Sequence, residues 1–200
     1  MHHPPEVGKK PASPTNSLPA PPRCATRADI PELVRLRALM FDAMGVDSSS
    51  AVWQQTFADQ LHAQLDPSGS VAGFVVDDPD RPGRLAACGL GVITDRFPSA
   101  FDATGRVGYL TSMVTVPEHR RRGLGAAILT ALIDWFTSRD VRTIELHAMP
   151  GAVPMYRAAG FTEPFCQALR WYSDRPPARP VETVTADATL AVGLPEEVGQ

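Results

Sequence analysis

The stretch of this chain richest in reactive residue types is Thr115-Val116-Pro117-Glu118-His119-Arg120-Arg121-Arg122-Gly123-Leu124-Gly125-Ala126. A proline closes a strand pattern, three arginines follow, and two glycines stand where an apolar helical pattern begins. A helix N-terminus presents backbone N–H groups without partners and the positive end of the helix dipole. Glycines let a ligand approach those groups, and arginines add charge, so the run suits a phosphate or pyrophosphate. The Lys-Ser/Thr ending of a P-loop is absent, and the glycine spacing is not that of a dinucleotide fingerprint. The binding candidates are therefore Arg120, Arg121, Arg122, Gly123, Leu124, Gly125 and Ala126.

Other positions can move protons. Tyr156 lies in Met155-Tyr156-Arg157-Ala158-Ala159-Gly160-Phe161. A phenol titrates near 10, by ordinary reference values, so it holds its proton at neutral pH. Strand alternation over 142–148 puts Thr143, Glu145 and His147 on one face, with Ile144, Leu146 and Ala148 on the other. Glu145 and His147 are thus candidate bases, and an imidazole titrates in the right range. Asp42, Asp47 and Asp95 fall at expected loops or helix ends. Cys88 and Cys166 have no base near them in sequence, so an acyl-cysteine route has no support and inert thiols are the plainer reading. No residues show metal-ligand spacing, and no metal is expected.

The Arg-x-x-Gly-x-Gly pattern after a strand-ending proline resembles motif A of the GNAT acyltransferases. Met155–Phe161 resembles that family's Leu-Tyr-x-x-x-Gly-Phe element, in the expected order and after the expected long helix. The likeness spans residues 23–173. It implies an α/β (α+β) fold with one central mixed sheet flanked by helices and a splayed parallel strand pair at the acyl-CoA site. It implies an acetyl-CoA-dependent N-acetyltransferase that moves an acetyl group directly to an amine of a small molecule or peptide. By the same resemblance, the backbone of Met113, Val114 and Thr115 pairs with the pantetheine arm. The loop from Arg121 to Ala126 wraps the pyrophosphate, and Tyr156 protonates the leaving thiolate. An N–H on the 113–115 strand would polarise the thioester carbonyl, as an oxyanion donor must. The chain departs from the family at Met149, where many members carry Asn, and in Leu110-Thr111-Ser112-Met113, where many carry an acid. A homodimer is compatible with the family. A non-catalytic acyl-CoA sensor or scaffold would keep the 120–126 loop without needing Tyr156.

These groups need elements to position them. Asp29 can N-cap a helix with Pro31 in its first turn and Glu32 at the capping-box position. Leu33, Val34, Leu36, Leu39, Met40 and Met44 follow a helical stripe that Gly45 ends. Ser49 or Ser50 starts a second helix with Val52, Trp53, Phe57, Leu61 and Leu65 on its apolar face. Strands are expected near 23–28 and over 71–77, 85–94, 107–116, 142–148 and 167–172, with helices over 123–138 and 152–159. An acceptor would enter between the first two helices and the strand loops, past Met40, Phe41, Met44, Trp53, Phe57 and the loop 95–106.

Composition limits the alternatives. The chain has 200 residues with 19 Lys+Arg against 22 Asp+Glu. Within 23–173 the balance is 15 basic to 16 acidic residues, which opposes a nucleic-acid partner despite the local arginines. No apolar run is long enough to span a membrane, and the N-terminus has no signal-peptide pattern. The three cysteines, Cys24, Cys88 and Cys166, form no even framework and point to a reducing, cytoplasmic setting. Of the 20 prolines, seven fall in residues 1–22 and four in 174–200. Both ends read as flexible, Pro-rich segments around one domain over 23–173, the last of them acidic.

Overall fold

The computed structural model describes residues 21–173. The expectations for the two ends therefore lie outside the described residues, except at Pro21 and Pro22. The elements run β1 (Arg23–Cys24), α1 (Ile30–Ala43), α2 (Ala51–Gln64), β2 (Val71–Asp77), β3 (Leu85–Asp95), β4 (Arg106–Thr115), α3 (Leu124–Thr137), β5 (Thr143–Glu145) and α4 (Val153–Ala158). The five strands lie in chain order in one mixed sheet. β1 to β4 pair antiparallel, and β4 pairs parallel with β5. Among the described residues no helix is long and apolar enough to cross a membrane.

Two cores form because the central strands alternate. Cys88, Leu90 and Val92 of β3 face α1 and α2, where Ile30, Leu33, Leu36 and Leu61 complete one cluster. Ala87 and Ile93 face the other way, toward Ile128, Leu129, Leu132 and Phe136 of α3. Gly89, Gly91 and Gly108 lie on that second face. A Cβ at Gly89 would stand 2.7 Å from Ile128, one at Gly91 2.9 Å from Phe136 and Trp135, and one at Gly108 2.7 Å from Phe136. Each is closer than side-chain carbons tolerate, so the bare backbone is what lets α3 sit down on the sheet. The small residues that thin the β3 pattern are the floor of a helix.

Two expectations need correction. Asp29 does not cap α1 with its side chain. Its carboxylate accepts from the Thr26 N–H at 2.7 Å and from both terminal nitrogens of Arg23, which also binds Asp77 on β2. Hydrogen bonds from Arg23 and Thr26, against the cost of burial, hold Asp29 down at about 2. Asp29 thus ties β1 and β2 to the start of α1. Glu32 likewise accepts from Arg35, Arg84 and the Leu85 N–H, pinning α1 to the start of β3. The second correction is the strand expected over 167–172. That segment is irregular, and Phe165, Leu169 and Trp171 stand in solvent. A strand needs a ladder partner for its backbone groups, and β5 offers an edge of only three residues.

Filling the α3 floor gives the test of this packing. Gly108→Val drives two methyls into the Phe136 ring and should cost about 1–3 kcal/mol, the usual range for overpacking. Urea denaturation should show a lower midpoint with an unchanged slope.

Candidate functional site

β4 carries one residue too many. Cys88 pairs with Val114 and Leu90 with Thr111, so two steps on β3 span three on β4. The extra residue is Ser112, held at φ 53°. Ahead of it, Leu110 faces α3; behind it, Val114 faces α1 and Met113 faces α3. The bulge therefore reverses which residues face which core. It lies beyond the parallel pairing of β4 with β5, which covers Val107 to Tyr109 on β4. Past Tyr109 the edge of β4 that faces β5 has no strand partner among the described residues. Met113, Val114 and Thr115, singled out for an extended ligand, lie on this open edge.

The loop after β4 is set from below. Pro117–His119 form one 3-10 turn, and Arg121 (φ 63°) and Gly123 (φ 82°) both take the left-handed conformation. Gly123 is the residue before α3, whose first N–H groups receive no side-chain cap. Around Gly123 there is open space where a side chain would stand. Arg120, Arg121, Arg122, Leu124, Gly125 and Ala126 are thus gathered at one helix N-terminus beside the open β4 edge. Arg120 donates back to the Thr115 carbonyl at 3.2 Å. Arg121 and Arg122 are exposed.

His119 is buried, and its Nε2 lies 3.0 Å from Oδ1 of buried Asp78 in the β2–β3 turn. Arg122 donates toward its Nδ1 at 3.3 Å. One tautomer satisfies both contacts: neutral imidazole with the proton on Nε2. Burial opposes the charge of Asp78, but the Asp80 N–H and His119 outweigh it and keep its carboxyl below the usual range. Asp78, Asp80 and His119 bring ligand-type atoms within 4.8 Å of one another. Both ring nitrogens are already bonded to protein groups, so the grouping anchors the loop.

Tyr156 is buried on α4, edge-on to Phe161 at 5.8 Å. Among the described residues its hydroxyl has no hydrogen-bond partner, and burial pushes its pKa up. Glu145 is gripped by both terminal nitrogens of Arg96 at 2.8 Å. That pairing holds its carboxyl below the usual range. His147 is exposed, with Nδ1 3.0 Å from the Tyr109 hydroxyl and Nε2 3.0 Å from Arg170. Thr143, Glu145 and His147 are all exposed while Ile144 and Leu146 pack on the core, so the expected alternation holds that far, but the strand ends at Glu145 and Ala148, expected on the inner face, is exposed. Cys88 is fully buried, and burial pushes its thiol up to about 12, which leaves it no nucleophilic thiolate at neutral pH.

Two cavities adjoin along α2: one of about 530 Å³ between α1 and α2, and one of about 260 Å³ between those helices and the sheet. Phe41, Trp53 and Phe57 line the larger, and Leu90, Tyr109 and Thr111 the smaller. Arg37 and Phe57 border both. Sequence reasoning reached the aromatics but missed Arg37, Tyr109, Ser112 and the Asp78–His119 pair. Arg37 had one local signal: it interrupts the apolar stripe of α1 midway between Leu33 and Phe41.

Residues 33–161 match the profile of the Acetyltransferase (GNAT) family. Among curated protein sequences nothing matches. Among solved structures, the chain is similar to a predicted acetyltransferase from Clostridium acetobutylicum solved with acetyl-CoA. The two are 22% identical with a TM-score of 0.67, covering 76% of this chain and 94% of that one. It is similar to a GCN5-related N-acetyltransferase from Ralstonia eutropha, with 25% identity, a TM-score of 0.65 and coverage of 75% and 97%. A glucosamine-6-phosphate N-acetyltransferase from Arabidopsis thaliana shares the fold at 16% identity, with a TM-score of 0.60 and coverage of 76% and 97%.

The buried phenol has a direct spectroscopic test. Of the three tyrosines, Tyr156 should ionise above the ordinary phenol range, because burial disfavours its phenolate. Alkaline titration followed by phenolate absorbance should show a late component that Tyr156→Phe removes.

Proposed function

The chain belongs to the acetyltransferase (GNAT) family, and on that premise we propose that it moves an acetyl group from acetyl-CoA to an amine by direct transfer. The observation that carries this reading is the open β4 edge running into a glycine-cornered helix N-terminus with free space above it. A long ligand with an extended arm and a pyrophosphate fits those two features in that order. When bound, acetyl-CoA supplies an activated acyl group and a thiolate leaving group.

The protein's own groups then divide the work. The backbone of Met113, Val114 and Thr115 holds the arm as a neighbouring strand would, and one of its N–H groups stabilises the developing oxyanion. N–H groups from Arg121 to Ala126 hold the pyrophosphate, with Arg121 and Arg122 reaching in from solvent. The amine nitrogen bonds to the acyl carbon as the carbon–sulfur bond breaks. Tyr156 gives its proton to the departing sulfur. Its burial supports this role, since it keeps the phenol protonated well past neutral pH.

The amine's proton must leave as well. Glu145 is committed to Arg96, so we assign that proton to His147. In the present arrangement Arg170 donates to Nε2, so the ring proton sits on Nδ1 and points at Tyr109. His147 therefore acts as base with the exposed Arg170 moved off Nε2. The three cysteines are unpaired, which suits a cytoplasmic site of action.

Titration calorimetry with acetyl-CoA should give saturable 1:1 binding that ATP does not reproduce. Gly123→Trp, which fills the open space above the loop, should abolish that binding in a folded protein. Normal affinity in this variant would sink the pyrophosphate site. Tyr156→Phe should bind acetyl-CoA yet lose roughly a hundredfold in kcat, within the range for a missing general acid. Unchanged kcat would remove Tyr156 from the reaction. Binding without turnover of any amine would leave a non-catalytic acyl-CoA module.

A further inference from the structure

The groove along α1 and α2 contains a cation that has no carboxylate partner among the described residues. Arg37 stands where the two cavities meet. Its guanidinium lies 4.6 Å from the ring centre of Phe57 and 5.3 Å from that of Phe41. Its only hydrogen bonds among the described residues run from Nη1, to the hydroxyl of Ser112 and, at 3.4 Å, to that of Thr111. Both acceptors are neutral. The Nε and Nη2 donors, the edge that forms a two-pronged fork with a carboxylate, make no hydrogen bond there. A contrast comes from the same helix: Arg35 puts Nε and Nη2 on Glu32 at 2.8 and 2.7 Å. Burial pulls the Arg37 guanidinium below the usual arginine range, and among the described residues no carboxylate pairs with it. The two rings hold the cation by its face, which leaves the fork edge free to take an anion.

The position of this cation relates it to the chemistry. Arg37 binds Ser112, the bulged residue, and the next residue is Met113, where the acyl-holding edge begins. An anion on Arg37 would therefore be held by a side chain that is itself anchored one residue before that edge. The aromatic lining of the larger cavity takes an apolar group.

Resting on the acetyltransferase reading above, we propose that the acceptor is an amino acid with an apolar side chain. Its carboxylate forks onto Nε and Nη2 of Arg37, and its side chain occupies the cavity walled by Phe41, Trp53 and Phe57. Its neutral amine forms the new bond to the acyl carbon, the carbon–sulfur bond breaks, and one proton goes to the base as another reaches sulfur from Tyr156. The product is the N-acetyl amino acid, whose carboxylate stays paired with Arg37.

The test compares amines that differ only in the carboxylate. Phenylalanine is set against phenethylamine, and leucine against isoamylamine, with full-length protein and saturating acetyl-CoA. Thiol release gives turnover, and calorimetry on the CoA-loaded protein gives binding. In each pair, kcat/KM and affinity should favour the amino acid by roughly tenfold or more, as a forked charge-assisted contact implies. Arg37→Gln should erase that preference, chiefly through KM, and Arg37→Lys should restore part of it, since lysine keeps the charge without the fork. Retained acetyl-CoA binding shows that each variant is folded. The inference is overturned if the decarboxylated amines match or outperform the amino acids, if Arg37→Gln keeps the preference, or if no amino acid binds a protein that does bind acetyl-CoA. In that last case the family reading stands. Failure to bind acetyl-CoA at all would bring down the acetyltransferase reading itself, and this inference with it.

Discussion

A strand that carries one extra residue cannot keep the same side chains on the same face, and β4 is such a strand. The insertion at Ser112 lets Leu110 and Met113, three residues apart, both serve the α3 core. It turns Val114 toward α1 and leaves Ser112 and Thr111 together within reach of Arg37. A regular strand would put Met113 beside Thr111, on the α1 face. Bulges also bend the strand that holds them, and this one comes just past the last residue paired with β5. The parting of the two parallel strands, the open edge and the two-sided burial of β4 all belong to one backbone irregularity. Its hydrogen bonds confirm how firmly it is set: Cys88 donates its thiol to the Ser112 carbonyl at 3.3 Å while Arg37 takes the hydroxyl.

The second half of the site depends on how closely α3 approaches. Gly89 stands opposite the bulge, and a Cβ there would fall 2.5 Å from the Met113 sulfur. Bare backbone at Gly89, Gly91 and Gly108 lowers the helix onto the sheet and fixes where its N-terminus emerges. That N-terminus must meet the end of β4 across a short loop, and the loop is held from two sides. Gly125 abuts Met155, next to Tyr156 on α4, at 3.2 Å for a would-be Cβ. His119 reaches down to Asp78 on the far side of the sheet's edge turn. Groups that hang on a loop are only as well placed as these supports.

Much of this was legible in the sequence because it is local. The helix start at Leu124, the glycine corner at Gly123, the arginines and the Tyr156 helix all declare themselves within a few residues. The alternation of Glu145 and His147 was equally readable. What was not readable depends on distant partners. Asp78 and His119 lie 41 residues apart, and Arg37 and Ser112 lie 75 apart. The bulge itself had no signal, since the left-handed residue is a serine and not the glycine or asparagine that would mark such a position. The strand expected over 167–172 fails for the converse reason. Its residues have strand character, but strand formation is a property of a pair, and the pairing edge of β5 is too short.

The same bulge connects the two functions that any group-transfer site must join. On the acetyltransferase reading proposed above, one side of Ser112 begins the open edge that would take the acyl arm, and its hydroxyl accepts from the guanidinium that borders the groove. A hydrogen bond from Arg37 to a neutral hydroxyl orients the cation without neutralising it. Had the partner been a carboxylate, as it is for neighbouring Arg35, the charge would be spent inside the fold. Arg37 instead keeps its fork free in a groove of rings, where low polarity strengthens whatever anion arrives. The anchor of the Arg37 cation and the start of the open β4 edge are then adjacent residues, Ser112 and Met113, so a change in the bulge moves both together.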